Sequence, residues 1–184
     1  MTLKKINYLY ETILLLLQKD RHQRELAKEL STSLTRIQSI IKDLEEMNVI
    51  DYKEAGKNHV YYLKKNLIAK SFILNAENYK LTKLLKEYAY MEPIFKEILL
   101  KYPDSMILLF GSYAKGTEKE YSDIDLYIDA TDETVKSSLK YVHDALSVQV
   151  RPFDKDDLLI KEIIKNHVVL QGGEKYYEKL GFFA

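Results

Sequence analysis

Apolar residues recur at helical spacing from the beginning of the chain. Ile6, Leu9, Ile13, Leu16 and Leu17 predict a helix over 3–18. Leu26 and Leu30 predict a second over 23–30. Ser31-Thr32-Ser33 then breaks the pattern and offers hydroxyls to the free amides of a new helix. That third helix is predicted over 34–47, with Leu34, Ile37, Ile40, Ile41, Leu44 and Met47 inward. Two short strands follow, 49–53 and 59–64, joined by 54–58. Gly56 and Asn58 tolerate the positive φ that a hairpin needs.

The stretch 66–104 reads as a helical connector. It is loosely apolar over 66–77 and more clearly helical over 81–91 and 93–102, where Pro93 suits the first turn of a helix. The pattern changes at Met106. The unbroken apolar run 106–110 predicts a buried strand. A Gly-Ser turn and a short helix come next. Strands are predicted over 122–129 and 146–153, helices over 134–145 and 157–166, and the chain then runs into a mixed tail. The layout is α+β, divided into 1–65, a connector 66–104, and 105–184 with helical support from 81.

Composition changes this picture little. Hydrophobic residues make up 46% and charged residues 30% of the 184 positions, enough for two modest cores. Cysteine is absent, which excludes disulfides and thiolate metal sites. The apolar run from Ile13 to Leu17 is too short to span a membrane. Glu11 and Asp20 interrupt any leader-like pattern, so no membrane association and a cytoplasmic location are expected. Net charge is zero but unevenly spread: residues 1–65 hold twelve Lys and Arg against nine Asp and Glu, leaving the remainder acidic. That balance permits a nucleic-acid-binding front half without requiring one. His22, His59, His143 and His167 have no metal-ligand spacing.

The chemistry concentrates after the 106–110 run. Gly111-Ser112 is followed by ten residues and then Asp123-Ile124-Asp125. A glycine at a strand end lets backbone approach a phosphate closely. Ser112 adds a hydroxyl, and helix amides favour phosphate oxygens. Alternate side chains of a strand share a face, so Asp123 and Asp125 project together while Ile124 and Leu126 face the core. Two such carboxylates suit Mg2+, a hard cation.

The stretch ILLFGSYAKGTEKEYSDIDLYID resembles the DNA polymerase beta-like nucleotidyltransferases, and among them the minimal ones, over about residues 85–175. The resemblance implies a mixed sheet flanked by helices. It also implies Mg2+ on Asp123 and Asp125 as catalytic residues, and a nucleoside triphosphate, ATP first, on Gly111 and Ser112. Lys115 stands where relatives often carry a basic residue and is a candidate phosphate contact. One position departs from the pattern. The family's third carboxylate, flanked by apolar residues on a later strand, corresponds to Gln149 between Val148 and Val150. Three readings stay open: nucleotide binding without catalysis, a slow enzyme, or a different register in which Asp144 or Asp154 takes the role.

The order helix, helix, turn, helix and two-stranded wing over 1–65, with the stretch ELAKELSTSLTRIQSIIKDLEEMNVI, resembles winged helix-turn-helix regulators. This implies binding of double-stranded DNA. Thr35, Arg36, Gln38, Ser39 and Lys42 would face outward, Ser33 would sit at the helix start, and Lys57 would reach the backbone from the wing. Arg and Gln read base edges bidentately. Asp43, Glu45 and Glu46 would repel phosphates if they faced DNA. A homodimer would add phosphate contacts. Two further functions follow from the combination: a regulator that senses nucleotide without transfer, and an antitoxin that nucleotidylates a partner toxin protein.

Overall fold

The computed structural model describes residues 3–56, 58–131, 139 and 142–183, with side chains from Lys5. The chain divides into two compact units, Met1–Tyr79 with Phe183–Ala184, and Lys80–Phe182.

The first unit opens with α1 (Leu3–Gln18), β1 (Arg21–His22), α2 (Gln23–Glu29) and α3 (Leu34–Glu46). The helix boundaries follow local chemistry. The Glu25 carboxylate accepts the His22 amide at the start of α2. Ser33 caps α3 by accepting the Arg36 amide. Ile37, Ile40, Ile41 and Leu44 form the buried stripe of α3, while Met47 lies just past its end and is half-buried. β2 (Ile50–Ala55) and β3 (Asn58–Leu63) pair antiparallel around a turn at Gly56, whose φ is +62°. The strands therefore run further toward the turn than the expected five-residue connection allows. β1 adds a third strand, pairing Arg21 with Tyr61 and His22 with Val60. Two residues are too few to leave a periodicity, and the sequence reading had no means of finding it.

α4 (Leu67–Glu87) is one continuous helix where two segments were expected. No glycine or proline occurs between Leu67 and Glu87, so nothing terminates it. Ala69, Ile73 and Ala76 are buried within the first unit, and Leu84 joins the core of the second. The expected connector thus contributes to both units.

The second unit contains α5 (Met91–Lys101), β4 (Ile107–Phe110), α6 (Gly111–Lys115), β5 (Ile124–Asp129), β6 (Leu146–Arg151), α7 (Leu158–Lys165), β7 (Val168–Gln171) and α8 (Gly173–Leu180). β7 and α8 occupy what the sequence reading left as a mixed tail. The expected helix over 134–145 falls largely outside the described residues. Among the described residues the strands form a mixed sheet in the order β6-β5-β4-β7. β5 is antiparallel to β4 and parallel to β6.

All four residues of β4 are buried, as expected for a central strand. One sheet face presents Ile107, Leu109, Ile124, Leu126, Ile128 and Val148 to a core shared with Met91, Ile94, Phe95 and Ile98 of α5. The other face carries Tyr127, whose ring meets Phe153, which in turn meets Tyr176 of α8. Gly172, at φ +78°, turns the chain from β7 into α8; a side chain there would lie 2.8 Å from the Met106 backbone. Among the described residues, no helix is long and apolar enough to cross a membrane.

Candidate functional site

The buried strand β4 ends at Phe110, which pairs with Asp125 of β5. The next residue, Gly111, has φ +72°, a conformation that side chains oppose. A Cβ there would lie 2.1 Å from Oδ2 of Asp125. The Asp125 carboxylate therefore rests on bare Gly111 backbone, and glycine is required both by the turn and by the space. Ser112, partly buried, follows in α6, and the left-handed Gly116 ends that helix.

Asp123 stands just before β5 and is exposed, whereas Asp125 is half-buried. Burial pushes the Asp125 carboxyl up from its ordinary range; the Asp123 charge adds to this, while the polar Ser147 side chain beside it opposes it. The two carboxylates are thus close enough to repel, held so by a strand whose alternate residues Ile124 and Leu126 are fully buried. Such a pair is stabilised by a cation.

β6 decides what stands beside them. Ser147 pairs with Asp125, and Gln149 pairs with Tyr127. Gln149 thus shares the Asp125 face but sits one pleat repeat further along. Its side-chain carbonyl faces the Arg151 guanidinium at 3.5 Å, and Arg151 also pairs with Asp157 at 3.1 Å. Asp144 and Asp154, the other carboxylates weighed for this role, are exposed, and Asp157 nearby is engaged elsewhere. Asp144 is exposed ahead of β6. Asp154 accepts the Asp156 amide. Asp157 caps α7 by accepting the Leu159 and Ile160 amides, which together with Arg151 hold its carboxyl low. Among the described residues no group of three His, Cys, Asp or Glu could hold a metal ion. Among the described residues the carboxylate site is a pair.

Lys115 lies at the end of α6 and pairs with Glu162 of α7 at 2.7 Å, which holds the Glu162 carboxyl below its usual range. Sequence reasoning missed Ser147, which only the β5–β6 register brings to Asp125. It also missed a polar cluster that anchors α6. Tyr88 donates to Glu118, and Tyr90 donates to the hydroxyl of Tyr113 at 2.9 Å. Burial and that bond push the Tyr90 phenol up to about 12. These partners are 23 to 30 residues apart, beyond any local motif.

Residues 91–176 match a family model described as a nucleotidyltransferase domain. A Methanocaldococcus jannaschii protein, whose name provisionally calls it a protein adenylyltransferase, is 34% identical over 84 residues. That alignment spans 44% of this chain and 80% of the relative. The chain belongs to the nucleotidyltransferase-domain family.

The nucleotidyltransferase match runs from Met91, the first residue of α5, to Tyr176 in α8, and so takes in Gly111, Ser112, Asp123 and Asp125. It leaves out the first unit. There, Thr35, Arg36, Gln38, Ser39 and Lys42 of α3 are all exposed. Arg36 lies over the Tyr8 ring, 5.1 Å from its centroid, and donates to the Thr32 hydroxyl. The acidic residues nearby are partly compensated. Asp43 pairs with Lys5 at 2.6 Å, and Glu46 lies 3.8 Å from Lys42. Burial pushes the Glu45 carboxyl up. Lys57, expected to act from the wing, lies outside the described residues.

Proposed function

We propose that the second unit binds a magnesium nucleoside triphosphate, ATP first, and transfers its nucleotidyl group to an acceptor hydroxyl. The observation that carries this reading is the Asp125 carboxylate seated on Gly111 with Asp123 beside it. Gly111 backbone and the Ser112 hydroxyl would receive the triphosphate. Asp123 and Asp125 would hold Mg2+. A pair is a fitting donor set, because Mg2+ commonly takes one or two carboxylates and completes its shell with water and substrate phosphates. When bound, the ion supplies charge neutralisation at the phosphates and lowers the pKa of a coordinated hydroxyl. Lys115 would reach phosphate after leaving Glu162. The name of the Methanocaldococcus relative supports adenine as the base.

The test is a magnesium-dependent titration of ATP, GTP, CTP and UTP by calorimetry, with pyrophosphate release measured on the same samples. Binding in the parent chain that disappears in a double Asp123→Asn, Asp125→Asn variant is the expected result. Equal binding in parent and variant would sink the assignment.

For the first unit we propose a winged helix-turn-helix that binds double-stranded DNA through Thr35, Arg36, Gln38, Ser39 and Lys42. The exposed face of α3 supports it, since Arg and Gln there could reach base edges in the major groove. Gln149 favours a second reading of the whole chain, a nucleotide-sensing regulator. That reading requires DNA affinity to shift with nucleotide, and nucleotide affinity to shift equally with DNA. Absence of coupling would refute it.

A further inference from the structure

α5 carries more apolar surface than its own unit uses. Met91, Ile94, Phe95 and Ile98 face the core described above. A second stripe runs along the flank of the helix, at positions 92, 95, 96, 99 and 100. Between this flank and the end of α4 lies an open groove of about 310 Å³, lined by Leu81, Leu85, Phe95, Leu99, Leu100 and Leu170. All of these residues belong to the second unit. Leu81, Leu85 and Leu99 are half-buried, and Leu100 stands 73% exposed at the edge. Apolar side chains gathered at one opening form a continuous patch, and such patches mark contact surfaces.

Two charges on the rim bear on what covers it. Glu92 and Lys96 also line the groove, one helical turn apart. Their spacing suits an ion pair, yet among the described residues neither makes one. Glu97 and Lys101, equally spaced on the same helix, do pair, at 2.7 Å. The groove therefore presents one free negative and one free positive charge. A patch of that kind is complementary to itself under a two-fold axis, since each charge then meets its opposite on the other copy. The apolar part is self-complementary in the same sense. It offers a projecting leucine and, beside it, a groove that receives one.

We infer that a second copy of this chain covers the groove, with the two α5 helices crossing antiparallel about a two-fold axis at the level of Ile94. That register sets Glu92 of each copy opposite Lys96 of the other. It carries Leu99 and Leu100 past the start of the other α5, toward Leu85 in the other groove. The rim charges then close around an apolar centre, which is the ordinary anatomy of a protein interface. The inference stands apart from the nucleotide and DNA readings above.

Sedimentation equilibrium of the full chain over a range of concentrations tests it. The parent should dimerise reversibly. Leu100→Asp puts a charge into each groove and should weaken the dimer at least about a hundredfold. Its circular dichroism should match the parent, because the residue is exposed. Glu92→Lys and Lys96→Glu should each weaken the dimer about tenfold, by setting like charges face to face twice per dimer. Mixing those two variants should restore a dimer of parental strength, since every rim contact again joins opposite charges. A monomeric parent would overturn the inference and leave the groove to a small apolar ligand or an unlike protein. A dimer indifferent to Leu100→Asp would place the contact elsewhere and overturn it as well. Weakening in the single charge variants without recovery on mixing would overturn the two-fold pairing on which the inference rests.

Discussion

The two units hold their candidate chemistry in opposite ways. In the first, the side chains of interest project from the solvent face of α3, while Ile37, Ile40 and Leu44 on its other side are fully buried. Core and candidate surface lie on one helix but do not touch. In the second, Asp125 is itself half-buried, flanked in sequence by two fully buried residues and seated against Gly111. Core and candidate site share the same strand. Changes to the surface of α3 should therefore leave stability alone, whereas changes at the strand end should move stability and binding together.

The largest effects test the cores. Ile40→Ala removes a fully buried side chain from α3. It should cost about 2–5 kcal/mol in urea denaturation, and on the proposed reading DNA binding is lost only through unfolding. Gly111→Ala and Gly56→Ala then contrast the units directly. Both glycines have positive φ, so each substitution should cost about 1–2 kcal/mol from backbone strain. At Gly56 a Cβ meets open space and the cost should end there. At Gly111 it must displace the Asp125 carboxylate, so magnesium-nucleotide binding should vanish as well. Retained binding in Gly111→Ala would break the comparison. Ser33→Ala removes the cap of α3 and should cost about 1 kcal/mol, visible as a lower melting temperature.

A smaller effect is a matter of sign. The Asp125 carboxyl is raised in the folded protein, so the fold binds its proton more tightly than the unfolded chain does. Stability from this group is greatest in acid and is lost as pH rises through the raised value. Without metal, Asp125→Asn should therefore be more stable than the parent at neutral pH, and the advantage should fade in acid, followed by melting temperature against pH. A variant less stable than the parent at neutral pH would show that the polar surroundings of Asp125 outweigh its burial. The smallest expected change is Arg36→Ala. Its stability should stay within about 0.5 kcal/mol of the parent, while DNA affinity drops by about 1–3 kcal/mol on the proposed reading.

Much of the molecule was legible because local chemistry enforces it. The stripe of α3, the Ser33 cap and the buried run of β4 follow from spacing and residue type alone. Where the reading stopped short, the missing information was non-local. β1 exists because β3 offers it an edge. α4 runs through because no breaker interrupts it, although its burial passes from one unit to the other. β7 is a strand because β4 has a free side, and Val168-Val169-Leu170 are apolar enough to fill it.

The site divides in the same way. Sequence by itself singled out Gly111, Ser112, Asp123 and Asp125 as candidates, since strand alternation and glycine's backbone freedom are properties of a few consecutive residues. It also placed Gln149 between two apolar neighbours. Only the tertiary structure decided what those residues meet: Asp125 on Gly111, Ser147 opposite Asp125, Lys115 on Glu162. Each contact joins segments separated in the chain by a turn, a crossover or a helix, and the pairing register that joins them is set by the packing of the whole sheet.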